Sequence, residues 1–103
     1  MRQLFLVYQQ HGGPWDWSKA LREQGQFDEH ARFMDALVDD GFVILGGPLG
    51  DGEQSLHVVE AADENEVKER LADDPWATAG LLQVATIEPW ALWLDSRAEN
   101  SAD

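Results

Sequence analysis

The chain has 103 residues, no cysteine and a formal net charge of −13. Its length sets one domain as the prior; the lack of cysteine excludes disulfides, thiolate catalysis and cysteine-ligated zinc, and so acidic a chain fits neither a nucleic acid nor an anionic membrane, both of which select basic surfaces. No apolar run approaches the ~20 residues that span a bilayer, and the N-terminal run is too short for a secretory signal, so a cytoplasmic protein is expected.

Residues 4–8 are a continuous apolar run, which predicts a central strand buried on both faces. Residues 11–26 read as irregular, with a helical turn or two across 18–23. A loop of this length in a small domain is usually functional. Its tryptophans, Trp15 and Trp17, are expected to fold over an edge, a pocket or a second subunit, because exposing them to water is costly.

The first helix is predicted to open on Asp28 as N-cap. It turns Ala31, Phe33, Met34, Leu37 and Val38 inward and stops at Gly41. Residues 42–45 are a second apolar strand, which Gly46-Gly47-Pro48 should bend or bulge. Gly50-Asp51-Gly52 makes a hairpin turn into a third strand, 55–60. The second helix opens on Asp63 with Glu66 three residues later, a capping box. Its stripe is Val67, Leu71 and Ala72, and Pro75 ends it by pushing the preceding residue out of helical geometry. Residues 76–80 connect to a fourth strand, 81–87, with Pro89 suited to a sheet edge. Residues 90–94 are a last extended piece that can pair or swap. The domain is expected to span 1–95, with 96–103 a disordered tail.

The order strand, helix, strand, strand, helix, strand is the βαββαβ pattern of a ferredoxin-like α+β fold. A faint repeat supports two related halves: each helix opens on aspartate and closes on Asp39-Asp40-Gly41 or Asp73-Asp74-Pro75. Two helices cover one face of such a sheet, yet residues 4–7, 42–45 and 81–82 put apolar groups on both. A second copy packed on the open face is the expected solution, giving a homodimer. The alternative is cover from within the chain by Trp90, Trp93 and the 11–26 loop.

His30 lies one turn before Met34 and two before Leu37, so it points with the apolar stripe towards the sheet. The dipole at a helix N-terminus disfavours imidazolium, and a neutral histidine near pH 7 is a usable general base. The bland alternative is a core histidine bonded to a carbonyl. Asp74 is read as a carboxylate at the C-terminus of the second helix, mildly unfavourable there, or as a solvated helix end. Gly46-Gly47-Pro48 lets a ligand approach the strand closely, or simply curls the sheet. His11 beside Gly12-Gly13 is placed near the start of the first helix; His57 has no special context. The histidines have no metal-ligand spacing, so no metal site is expected.

The runs D-E-H-A-R-F-M-D-A-L…D-G-F-V-I-L-G-G-P-L, then D-D-P-W-A-T-A-G-L-L, then I-E-P-W together resemble the YciI-like (YCII-related) family. The resemblance covers residues 4–94. It implies a dimeric α+β barrel, and it implies that His30 and Asp74 match the family's catalytic dyad. Some members are dehydrochlorinases of chlorinated hydroxyquinols. A small cofactor-independent lyase, isomerase or dehydrochlorinase acting on a cyclic or aromatic substrate is therefore expected, with Trp76 and Trp15 lining the pocket. The alternative is a non-enzymatic ligand-binding or accessory domain. In a plain ferredoxin-like layout the start of the first helix and the end of the second lie at opposite ends of the sheet. The dyad therefore requires a short or tilted second helix, a connector 76–80 that folds back, or a contact across a dimer.

Overall fold

The described residues, 2–96 of a computed structural model, run in the order β1 (Gln3–His11), a 3-10 turn (Leu21–Glu23), α1 (Phe27–Asp39), β2 (Val43–Leu49), β3 (Gln54–Ala61), α2 (Glu64–Ala72), α3 (Pro75–Thr78) and β4 (Leu82–Trp90). The four strands form one antiparallel sheet in the order β2-β3-β1-β4. This is the ferredoxin-like arrangement. The tail assigned to 96–103 lies outside the described residues except for its first member.

Strand alternation decides what faces the helices. On β1 the buried positions are Phe5, Val7 and Gln9. Opposite them on β3 stand Val59, His57 and Ser55. Phe42, Val43, Leu37, Val67 and Leu71 complete this core, with Phe33 and Met34 packed against it. Burial of such side chains contributes about 1.5–3 kcal/mol each, so this layer is the main source of adhesion between helices and sheet. Val38 and Ala72, expected inside, are exposed. Each sits at the edge of its helix stripe, where the narrow contact does not reach.

The other face departs from expectation. Leu4, Leu6 and Tyr8 are half-buried, not buried, and Leu45, Leu49 and Trp90 are exposed. All helices lie on one side, and the 11–26 loop folds over the helix side as well. Trp93 and Leu94 do not supply the cover either: each is 92% exposed.

Local chemistry explains most element ends. Gly41, at φ 85°, lets the chain leave α1 in the left-handed region. Asp63 accepts the Glu66 N–H at 2.9 Å, and the Glu66 carboxylate accepts the Ala62 N–H at 2.7 Å. Asp40 at the end of α1 is tied to Arg70 of α2. Helix α1 opens two residues earlier than the Asp28 cap predicts, with Gln26 at N-cap at φ 60° and no side-chain cap. Asp28 sits instead inside the first turn, where a carboxylate complements the dipole.

Strands extend beyond their apolar runs because ladder hydrogen bonds do not need apolar side chains. Gly46-Gly47-Pro48 is not a bulge: those residues pair in register with His57, Leu56 and Ser55. The register shift in β2 falls earlier, between Val43 and Leu45, and a second lies between Tyr8 and Gln9 in the pairing of β1 with β4. Pro48 and Pro89 both lie on the edge strands β2 and β4, where a missing N–H is tolerated.

Candidate active site

The site is built where α3 turns back under the start of α1. Helix α2 stops at Ala72 with Asp73 as C-cap, and Asp74 opens a new helix with Pro75 at its first position. The segment 76–80, read from sequence as a plain connector, is mostly this helix. The reading of Asp74 as a carboxylate at a helix C-terminus is therefore corrected. Asp74 is an N-cap whose Oδ1 accepts the Trp76 backbone N–H at 2.9 Å. Aspartate followed by proline ends one helix and suits the start of the next.

Asp74 is 1% exposed. A carboxylate so deep needs partners, and its second one is His30. The imidazole Nδ1 lies 2.9 Å from Oδ1 and 2.8 Å from Oδ2, within one chain. His30 sits in the first turn of α1, where its own N–H bonds the Gln26 carbonyl at 3.0 Å. The fold-back of α3 thus closes the distance that a plain layout would leave.

Trp76 fixes the ring from its flat side. The His30 and Trp76 rings are stacked at 3.8 Å with 6° between their planes. Trp76 is buried, and its Nε1–H donates to the Gly25 carbonyl at 2.8 Å. Trp15 meets it edge-on at 5.1 Å, and His11 stacks on Trp15 at 3.8 Å. Trp15 is buried as expected, but Trp17 is 64% exposed, touching His11 and Trp15 only along their edges.

An ionised carboxylate only accepts hydrogen bonds. A hydrogen bond from the ring to an ionised Asp74 requires the proton on Nδ1, which leaves the Nε2 lone pair on the opposite edge of the ring. His30 lines a cavity of about 350 Å³ together with His11, Trp15, Trp17, Lys19, Trp76 and His57. Gly47 and Pro48 line it too, whereas Gly46 lies against a recess of about 230 Å³ between His30 and His57. Asp74 is behind His30 and does not line the cavity. Among the described residues, no aspartate or glutamate does. A wider depression of about 760 Å³ adjoins at His11 and Trp17, but it carries none of His30, Asp74 or Trp76.

Two contributors were not legible from local sequence. Gln24 is buried and pins the loop, donating to the Asp16 carbonyl at 2.7 Å and the Lys19 carbonyl at 3.1 Å while accepting the Asp16 N–H at 3.1 Å. His57 faces the helix side of β3 and lines the cavity. Its signal was the period-two pattern of β3, which puts it in line with buried Val59 and Ala61. Burial holds the His57 pKa below its usual 6.5, helped by the nearby His30 and opposed by Asp74. Burial lowers His11 as well.

The family model described as the YCII-related domain matches residues 1–91. Among solved structures the chain is similar to 5-chloro-2-hydroxyhydroquinone dehydrochlorinase from Burkholderia phenoliruptrix AC1100, determined in complex with 2,5-dihydroxybenzoquinone. The two share 26% identity and a TM-score of 0.59 over 85% of this chain and 93% of that one. Comparison with curated protein sequences finds no match. No helix among the described residues is long and apolar enough to cross a membrane.

The lowered pKa of His57 has a measurable consequence. The unfolded chain binds this proton first, so the associated stability is full above pH 6.5 and is lost as pH falls through the folded-state value. An NMR titration of the histidine rings is expected to show His57 protonating below 6.5, with denaturant midpoints falling over the same range. A His57 midpoint at or above 6.5 would contradict the burial argument.

Proposed function

We propose, from the premise that this chain belongs to the YCII-related family, that it is a small enzyme moving protons on a planar hydroxylated ring. The observation that carries this reading is the clamped imidazole. His30 is held edge-on by Asp74 and face-on by Trp76, with its second nitrogen turned towards an aromatic cavity. His30 acts as general base and proton carrier. Asp74 sets its tautomer and stabilises the imidazolium. The Trp76 face adds a cation–π contribution to the charged form.

The similar dehydrochlorinase suggests the reaction class. On a chlorinated hydroxyhydroquinone, His30 takes a hydroxyl proton and returns it to the chlorine-bearing carbon, leaving a C=O and a tetrahedral C(H)Cl. Loss of a second hydroxyl proton forms another C=O, and chloride departs with the C–Cl electron pair. The net change is loss of HCl, with no external oxidant or reductant. A cavity lined by no carboxylate among the described residues suits the phenolate this requires, since a lining carboxylate would repel it.

A homodimer belongs to the same reading. Leu4, Leu6, Leu45 and Trp90 leave one sheet face partly apolar, and Trp93 and Leu94 project beside it. A second copy on that face would remove the exposed apolar area.

For the chemistry, His30→Ala is expected to lower kcat/KM for chloride release from 5-chloro-2-hydroxyhydroquinone by about 10²–10⁴-fold. Asp74→Asn is expected to keep the α3 cap, hence the fold by circular dichroism, while losing activity through the wrong tautomer. Wild-type turnover in His30→Ala would rule the role out. For the assembly, sedimentation at micromolar concentration should give twice the chain mass; a monomer would refute the dimer.

A further inference from the structure

His57 stands in the cavity with an unmet hydrogen-bonding capacity. Neither of its ring nitrogens has a hydrogen-bond partner among the described residues; Nδ1 is sealed from the cavity, and Nε2 is the one left accessible. Buried polar atoms are nearly always paired, and one that is not calls for an explanation. The ring lines both the cavity and the recess next to His30. Burial favours its neutral form at pH 7, so it presents one N–H and one lone pair.

The strand opposite is shaped around this ring. His57 pairs with Gly46 in the β2–β3 ladder. A Cβ at position 46 would lie 2.4 Å from His57 Cδ2 and 3.0 Å from Nε2. Glycine inside a strand is unfavourable, and it commonly marks a place where another group must come close. Here that group is an imidazole. A purely structural requirement would be met by an aliphatic residue at 57, as by Val59 two positions on, without a strand glycine or an unpaired nitrogen.

We propose that His57 is a substrate-binding residue: its accessible Nε2 hydrogen-bonds one oxygen of the flat hydroxylated ring whose other edge meets His30. This rests on the proton-transfer reading above and narrows it. The preferred ligand carries oxygens on two sides of the ring, and a singly substituted phenol leaves His57 unpaired. Gly46 then acts as a positioning residue that leaves room for the imidazole.

The test uses the intact wild-type protein first. With ¹⁵N-labelled histidine, saturation with 2,5-dihydroxybenzoquinone should shift the ring nitrogens of His57 as well as those of His30. Calorimetry should show about tenfold weaker binding for His57→Leu, and a KM for the chlorinated hydroxyhydroquinone raised more than kcat is lowered. Gly46→Ala, which displaces the ring without removing it, should act in the same direction. Unmoved His57 resonances in a wild-type protein that binds or turns over the ring would overturn this assignment alone, as would unaltered affinity and KM in His57→Leu. A wild-type protein that neither binds nor converts these rings would overturn the proton-transfer reading and this assignment together.

Discussion

A carboxylate sealed from water is the constraint around which this small protein is arranged. Asp74 is almost wholly buried, and an ionised group at that depth persists only if its oxygens are satisfied. The Trp76 backbone N–H and the His30 imidazole satisfy them. Each partner carries further structure. The N–H contact starts α3, which brings Trp76 under α1. Trp76 covers the His30 ring, supports Trp15, and through Gly25 holds the end of the long loop. One interaction therefore links sequence-distant segments, the first turn of α1 and the Asp-Pro corner, and it also orders the cavity wall.

The electrostatic contrast between surface and cavity follows. The chain carries 20 acidic residues, yet none of the described ones lines the cavity, where His11, His30, His57 and Lys19 stand instead. A strongly acidic exterior keeps such a domain soluble without imposing its sign on the cavity. What a ligand meets are aromatic faces and imidazole edges. The buried Asp74 carboxylate stands behind the His30 ring, out of the cavity lining.

Much of the fold was legible because its punctuation is strong. Gly41, the Asp63–Glu66 pair and Pro75 mark helix ends by backbone chemistry that tertiary context does not override. Strand ends were harder: Gly46-Gly47-Pro48 looks like a breaker in isolation, but pairing with β3 holds it in the ladder. His30 and Asp74 were singled out through the family resemblance, but their contact was not legible, because a four-residue helix is below the length at which periodicity speaks. Its signature was present all the same, an aspartate before a proline, which marks a helix start as readily as a helix end. His57 was passed over because a lone histidine on a strand is unremarkable until its neighbours on the helix-facing side are placed. Gln24 left no sequence signal, since its role depends wholly on the loop conformation it creates.

The central physical claim is that Asp74 holds the proton of neutral His30 on Nδ1 and leaves Nε2 free to take another. Long-range ¹H–¹⁵N correlation on selectively labelled histidine, at a pH where His30 is neutral, reads this tautomer directly. The expected spectrum shows His30 protonated at Nδ1, reverting towards the Nε2–H form in Asp74→Asn. An Nε2–H tautomer in the wild-type protein, unaffected by that substitution, would contradict it.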